Sequence, residues 1–328
     1  MTTRPLRPAS LYHLHRPLMA FSAAMAVMTV AGVVGLVVDD RTLVGAPIWA
    51  KPFKFALSFL LYAPTLAWLL SLLRRHHTAG RRAGTVVAVT AAVEMVIIVG
   101  QVLRGRQSHY NVLTAFDATL WTIMGVSIGV LWAANLVVAV LLLRERIADR
   151  ATSSAIRLGL ALAVAGMALG FLMTGPTPEQ ATTMREGVAT VVGAHSVGVP
   201  DGGPGLPLIG WSTTGGDLRI PHFVGMHGLQ VLPLVGLALL RLGRRLPRLR
   251  DDGTRRNLVR TVAAGYAGLV ALVTWQALRG QPLTAPDAAT LGAAAVLLVL
   301  TVGSAAAVLA TARTPVPTAT PALVGGTR

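Results

Sequence analysis

The chain has 328 residues, of which 53% are hydrophobic and 13% charged, whereas about 25% of the residues of soluble proteins are charged. This composition excludes an ordinary soluble domain and leaves room for several membrane spans of about 20 residues each. The absence of cysteine excludes disulfides, thiolate-bound metals, iron–sulfur clusters and covalently attached c-type haem.

The first half of the chain predicts four transmembrane helices. A basic segment, 1–17, precedes an apolar run that exceeds the roughly 7–15 residues of a signal-peptide core, so we interpret this run as a retained span. Trp49, Lys51 and Lys54 fit an interfacial belt with snorkelling lysines before the second span. The predicted spans are 18–38, 53–73, 83–103 and 118–143.

The second half predicts four more spans around one long loop. The loop, 175–220, is rich in proline and glycine, and loops of this length are usually functional or disordered. Its segment 177–195 predicts a short amphipathic helix on the membrane, and the Pro/Thr-rich tail, 314–328, predicts disorder. The spans are predicted at 158–174, 221–240, 261–278 and 288–312.

The basic residues predict the orientation of these eight spans. With both termini on one side, that side holds 21 of the 29 Lys and Arg residues and the opposite side holds 8. The positive-inside rule then predicts cytoplasmic termini in a bacterial cytoplasmic membrane. The net charge of +16 therefore indicates orientation and contact with anionic lipid, and we expect no nucleic-acid partner. Most acidic residues and four histidines fall on the extracytoplasmic side.

Several short matches between the halves indicate an internal repeat. They occur in the same order and predict two tandem four-helix units, 18–150 and 151–313, related by an axis along the membrane normal. The matches are Gln101–Gly105 with Gln276–Gly280, Asp117 with Asp287, and Pro52 and Pro64 with Pro221 and Pro233. His222 and His227 have no counterparts in the first half, which favours one site built from unlike parts.

The stretch 210–233, GWSTTGGDLRIPHFVGMHGLQVLP, places polar side chains at the edge of the sixth span. His227 and Gln230 share a helix face, whereas His222 lies about 140° away from His227. We predict that His227 binds haem or a metal, with His222, Gln230 and His109 as further cofactor residues and His195 as a further metal ligand. The alternative is a histidine hydrogen-bonded to a neighbouring span.

Glu94 and Gln101 lie on nearly the same face of the third span. A carboxyl group at the depth of Glu94 is protonated or paired, so the two residues predict a proton relay or ion site. A structural hydrogen bond between spans is the alternative.

Arg104 and Arg279 end equivalent spans, and an acidic residue opens each following span. The simplest expectation is an Arg–Asp pair across each connection. The alternative is that the two arginines bind an anionic group, such as a haem propionate or a phospholipid phosphate.

The stretches PIWAKPFKFALS, 47–58, and GWSTTGGDLRIPHFVGMHGLQ, 210–230, resemble those of a bacterial family of uncharacterised multi-span membrane proteins. The resemblance covers most of the chain and implies an eight-helix membrane protein without a known activity. The layout alone is similar to haem A synthases, which pair histidines from spans of both halves, but spans two, four and eight here contain none.

The leading hypothesis is therefore a membrane redox or cofactor protein with an extracytoplasmic site. The alternatives are a small-solute or lipid transporter that uses Glu94 and the repeat interface, and a non-catalytic subunit that assembles with other membrane proteins. The sequence leaves open whether the chain is an enzyme.

Overall fold

The computed structural model describes residues 14–145, 147 and 149–312. The predicted tail, 314–328, and most of the predicted segment 1–17 lie outside the described residues. Among those described, the helices are α1 Arg16–Val38, α2 Ala50–Ser71, α3 His77–Leu103, α4 Ala115–Arg144, α5 Arg150–Leu169, α6 Pro178–Arg185, α7 Arg219–Leu242, α8 Asp252–Leu278 and α9 Ala288–Ala310. The strands within these described ranges form two antiparallel hairpins, β1 Thr42–Leu43 with β2 Ala46–Pro47, and β3 Ser196–Val197 with β4 Gly216–Asp217.

All of these helices except α6 are long and apolar enough to cross a membrane. The fold is therefore the predicted all-α polytopic membrane protein, with apolar helix surfaces that suit contact with the lipid bilayer. Helices α3, α5 and α8 begin six to nine residues earlier than predicted. Their first turns are polar, so an apolar run does not reveal them, and Asp149 and Asp251 cap two of these turns by accepting backbone hydrogen bonds.

The spans alternate in direction and divide their connections between two faces. We call one the loop face; it carries residues 39–49, 104–114, 279–287 and the long loop, 174–218. We call the opposite face the tail face; it carries the remaining connections, the start of α1 and the end of α9.

The long loop is less helical than predicted. Its helix, α6, has eight residues, and the predicted amphipathic helix over 177–195 is wrong beyond Arg185. The chain there forms a bridge between Val191 and Asn111, and Val192 N donates to Tyr110 O at 2.8 Å. These bonds attach the loop to the α3–α4 connection.

Corresponding helices of the two halves have corresponding neighbours. Helix α2 packs on α1 and α3, and α7 likewise packs on α5 and α8. Helix α4 packs on α3 in the first half, as α9 packs on α8 in the second. Pro52 and Pro221 are each the third residue of their helix. Gly105 and Gly280 follow the two matched helix ends with φ of 66° and 71°, where glycine avoids the strain of a side chain. Superposition of the two units remains a prediction.

Glycines bring α5 and α7 into close backbone contact. A Cβ atom on Gly166 would overlap the backbone of Gly225, and one on Gly159 would lie 2.7 Å from Gly228 O. Small residues permit such close packing between membrane helices. The glycine side of α7 consequently faces α5.

Hydrogen bonds also join helix ends at the tail face. Glu145 Oε1, just after α4, accepts from the backbone N–H groups of Arg74 and Arg75, at 3.2 and 2.9 Å. Asp252, at the start of α8, accepts from Arg150 N and Ala151 N in the first turn of α5, at 3.0 and 3.1 Å. The turn between α2 and α3 is thus tied to α4, and α5 is tied to α8.

Candidate functional site

Glu94 lies inside the helix bundle and is 2% exposed. Its Oε2 atom has no hydrogen-bond partner among the residues that the structure describes, and its Oε1 atom lies 3.9 Å from Nε2 of His109. An ionised carboxylate without partners is costly at this depth. The environment of Glu94 therefore favours the neutral acid.

His109 belongs to the α3–α4 connection, yet its ring is enclosed by aromatic side chains. The ring centroids of Phe55, Tyr110 and Trp121 lie 5.8, 5.9 and 5.6 Å from that of His109. Its Nδ1 atom lies 3.2 Å from Ser108 Oγ. Burial, together with the charges of Lys51 and His195, holds the pKa of His109 well below its ordinary value. The imidazole beside Glu94 is thus neutral at neutral pH.

Lys51 lies in the first turn of α2 with Nζ 5.9 Å from the centroid of Phe55. Its charge interacts with Glu94, but the two residues form no direct ion pair. The interfacial belt stays a prediction, and the residues assigned to it have protein partners. Lys54 Nζ donates to Ile209 O at 3.0 Å, and Trp49 Nε1 donates to Asp39 Oδ2 at 2.8 Å.

The long loop adds a second histidine to this cluster. The ring of His195 lies 5.0 Å from that of Tyr110, and its Nδ1 atom lies 2.8 Å from Asp201 Oδ2. Burial lowers the pKa of His195 although Asp201 opposes the shift. Burial raises the pKa of Asp201, but bonds from the side chain and backbone of His195 outweigh it and hold this pKa well below its ordinary value. Contacts therefore run from Glu94 through His109 and Tyr110 to the loop.

Tyr110 occupies this central position in a strained backbone conformation. Its φ is 63°, which is uncommon for residues other than glycine. Gly193, with φ of 116°, lies against the ring and has no room for a Cβ atom. We call Lys51, Glu94, His109, Tyr110, Trp121, His195 and Asp201 the loop-face cluster.

Gln101 belongs to a different network from Glu94. Its Nε2 atom donates to Asp117 Oδ1 at 2.9 Å, and its Oε1 atom accepts from Arg104 at 2.5 Å. Arg104 also pairs with Asp117 at 2.7 Å, and Arg279 pairs with Asp287 at 2.5 Å. The simpler expectation for both arginines, an ion pair across each connection, is what the structure shows.

The predicted cofactor residues on α7 have different environments. His227 is exposed, and no hydrogen bond, ion pair or ring contact joins its side chain to another of the described residues. His222 Nδ1 bonds to Gly166 O at 2.8 Å, and Gln230 is half-buried with Oε1 unpartnered. At 100° per residue, His227 lies about 200° from Gly225 on the buried face. The close α5–α7 packing therefore places His227 on the exposed side of α7.

Within the described part of the chain, no three His, Asp or Glu side chains are grouped to hold a metal ion. Binding of haem or of a metal by the residues named above remains a prediction. Comparison of this chain with protein-family models, curated proteins and solved structures finds no match.

Proposed function

We propose that this multi-pass membrane protein is a proton-coupled transporter in which Glu94 binds and releases the proton. The observation that carries the proposal is the buried Oε2 atom of Glu94 without a partner, in a carboxyl group beside the neutral ring of His109. Ionisable residues within spans are costly and commonly mark proton or ion pathways. The transported molecule belongs to the small-solute or lipid class.

His109 is the group through which the proton reaches Glu94 in this proposal. A neutral imidazole accepts a proton at one nitrogen and donates from the other. Transfer needs a separation of about 2.6–3.2 Å or one bridging water, so the 3.9 Å gap to Glu94 must shorten or be bridged. The positive charge of Lys51 disfavours a lasting positive charge on His109, so the proton passes from His109 to Glu94. The same Lys51 charge stabilises the Glu94 carboxylate after Glu94 releases the proton.

The predicted orientation adds a direction to this pathway. With cytoplasmic termini in a bacterial cytoplasmic membrane, the loop face is external and protons enter from outside. The tandem arrangement of two four-helix units also belongs to this proposal, since solute would pass between them. The cofactor hypothesis has less support, because His227 and His222 lie on different sides of α7.

Infrared difference spectroscopy of the reconstituted protein tests the protonation of Glu94. We expect a protonated carboxyl band at neutral pH that disappears in Glu94→Gln. The control, Glu179→Gln, removes an exposed carboxylate of α6 and should leave the band unchanged. Absence of the band from the wild-type protein at neutral pH would refute the proposal.

A pH-jump experiment tests the role of His109. After a rapid drop from alkaline to neutral pH, His109→Gln should slow the growth of the Glu94 band by about 100-fold, because general acid–base groups typically contribute 10²–10⁴-fold. The final band intensity should be retained. His227→Gln is the matched control, since this exposed side chain contacts no member of the cluster. Equal rates in both variants would exclude His109 from the pathway.

A further inference from the structure

A cleft of about 300 Å³ opens at the tail face, between the starts of α1 and α3. Its lining residues are His15, Pro17, His77, Thr78, Arg81, Arg82 and Thr85. None of them is acidic, and neither Arg81 nor Arg82 forms an ion pair in the described part of the chain. The cleft therefore combines two exposed guanidinium groups, without an acidic partner among the described residues, with hydrogen-bonding side chains of histidine and threonine.

Hydrogen bonds fix one wall of the cleft. The Nε2 atom of His15 lies 2.8 Å from Arg81 O and 3.4 Å from Thr85 Oγ1, and the His15 side chain is buried. Burial holds the pKa of His15 below its ordinary value despite the bond to Arg81. The wall is thus uncharged and rigid, while Arg81 and Arg82 supply the positive charge.

An apolar stripe leads from this cleft along the membrane-facing surface of α3. Arg82, Val86 and Val89 are spaced at i, i+4 and i+7, which places them on one helix face. Val86 and Val89 are 38% and 56% exposed. A molecule held at Arg82 could therefore extend an apolar chain beside both valines into the bilayer.

We propose that the cleft binds the phosphate group of an anionic phospholipid, whose acyl chain lies along Val86 and Val89. Guanidinium groups bind phosphate through paired hydrogen bonds, and basic residues near a membrane surface attract anionic lipid. The apolar stripe favours a lipid over a free phosphate ion. This inference concerns the face opposite Glu94 and is independent of the proposed proton pathway.

Native mass spectrometry with added phosphatidylglycerol or phosphatidylcholine tests the site. The double variant Arg81→Gln/Arg82→Gln should bind phosphatidylglycerol about tenfold more weakly, since each basic residue near a surface contributes measurably to lipid attraction. Arg244→Gln/Arg245→Gln removes the same charge from two exposed arginines of another tail-face turn and should retain wild-type binding. Circular dichroism of both variants checks that the helices remain intact.

Three results would overturn the proposal. Equal loss of phosphatidylglycerol in both double variants would show that only net charge matters. Equal binding of phosphatidylcholine and phosphatidylglycerol by the wild-type protein would remove the requirement for an anionic headgroup. Displacement of bound phosphatidylglycerol by inorganic phosphate at equal concentration would assign the site to the free ion.

Discussion

Asp217 and Arg219 form a clamp where the long loop meets α7. Arg219 Nη2 lies 2.6 Å from Asp217 Oδ2, and Arg219 Nε lies 2.9 Å from Oδ1. Asp217 is fully buried and also accepts from Ser212 N, while Arg219 donates to Gly210 O. One ion pair therefore fixes both the hairpin of the loop and the start of the helix.

Replacing one partner of this clamp should destabilise the protein. In Arg219→Gln the carboxylate of Asp217 remains buried without its cation, which should cost roughly 3 kcal/mol of unfolding free energy. Asp217→Asn/Arg219→Gln should recover part of the loss. Denaturant unfolding measures both, with Arg106→Gln as the control because Arg106 is exposed and forms no ion pair within the described part of the chain. An unchanged unfolding midpoint in Arg219→Gln would contradict the assigned role.

Acidification should loosen the long loop. The folded-state pKa values of His109, His195 and Asp201 lie below their ordinary values, so these groups bind fewer protons in the folded chain than in the unfolded chain. The neutral acid of Glu94 acts in the opposite direction, but it is one group against two histidines. The histidine contributions to stability are present above about pH 6.5 and are lost as the pH falls through the folded pKa values; the Asp201 contribution follows below about pH 4.

The melting temperature should therefore fall between about pH 7.5 and pH 5, where histidine titrates. The fall should be smaller in His109→Gln and unchanged in His227→Gln, whose exposed side chain contacts none of these groups. Differential scanning fluorimetry in detergent gives both curves. A wild-type melting temperature that rises on acidification would contradict the sign of this prediction.

A glycine-to-alanine substitution should affect stability differently at the close α5–α7 contact and at an open position of α4. Gly166→Ala places a methyl group against the backbone of Gly225 and should destabilise by about 1–3 kcal/mol through overpacking. Gly129→Ala in α4 has nothing within 4 Å and should be neutral or mildly stabilising. Thermal unfolding of the two variants under the same conditions compares them. Equal effects would show that the crossing is looser than the structure indicates.

The absence of cysteine makes the orientation directly measurable. Cysteines introduced at Arg106 or Leu208, exposed on the loop face, should react with an impermeant thiol reagent in intact cells. Cysteines at Arg75 or Arg245, on the tail face, should react only after permeabilisation. Ser108 is unsuitable because it is 5% exposed. The reverse labelling pattern would place the termini outside.

Hydropathy predicted the fold class, but it could not give the direction of each side chain. The position of Glu94 near the middle of a span indicated that it is buried, but it did not indicate which residues surround it. The outward position of His227 depends on which face of α7 meets α5, and the spacing of Gly225 and Gly228 was the available signal. The apolar period showed that His227 and Gln230 share a face without showing where that face points.

Most of the loop-face cluster was missed for a related reason. Lys51 and Trp121 lie on separate helices, and Asp201 lies in a loop, so no local spacing connects them to Glu94. His109 was identified as a candidate, but its contact with a carboxyl group inside α3 depends on how the connection folds back. Tertiary packing decides which of these residues come into contact, and local sequence patterns do not predict that packing.

The hydrogen bonds of Glu145 and Asp252 also bear on how the molecule can move. They fasten helix ends at the tail face, whereas Glu94 neighbours His109 of the α3–α4 connection on the loop face. A rocking motion of the helices would therefore pivot near the tail face, with its amplitude growing with distance from that fulcrum. Glu94 would lie on the long arm of this lever, so small shifts beside Glu145 would become larger displacements around Glu94.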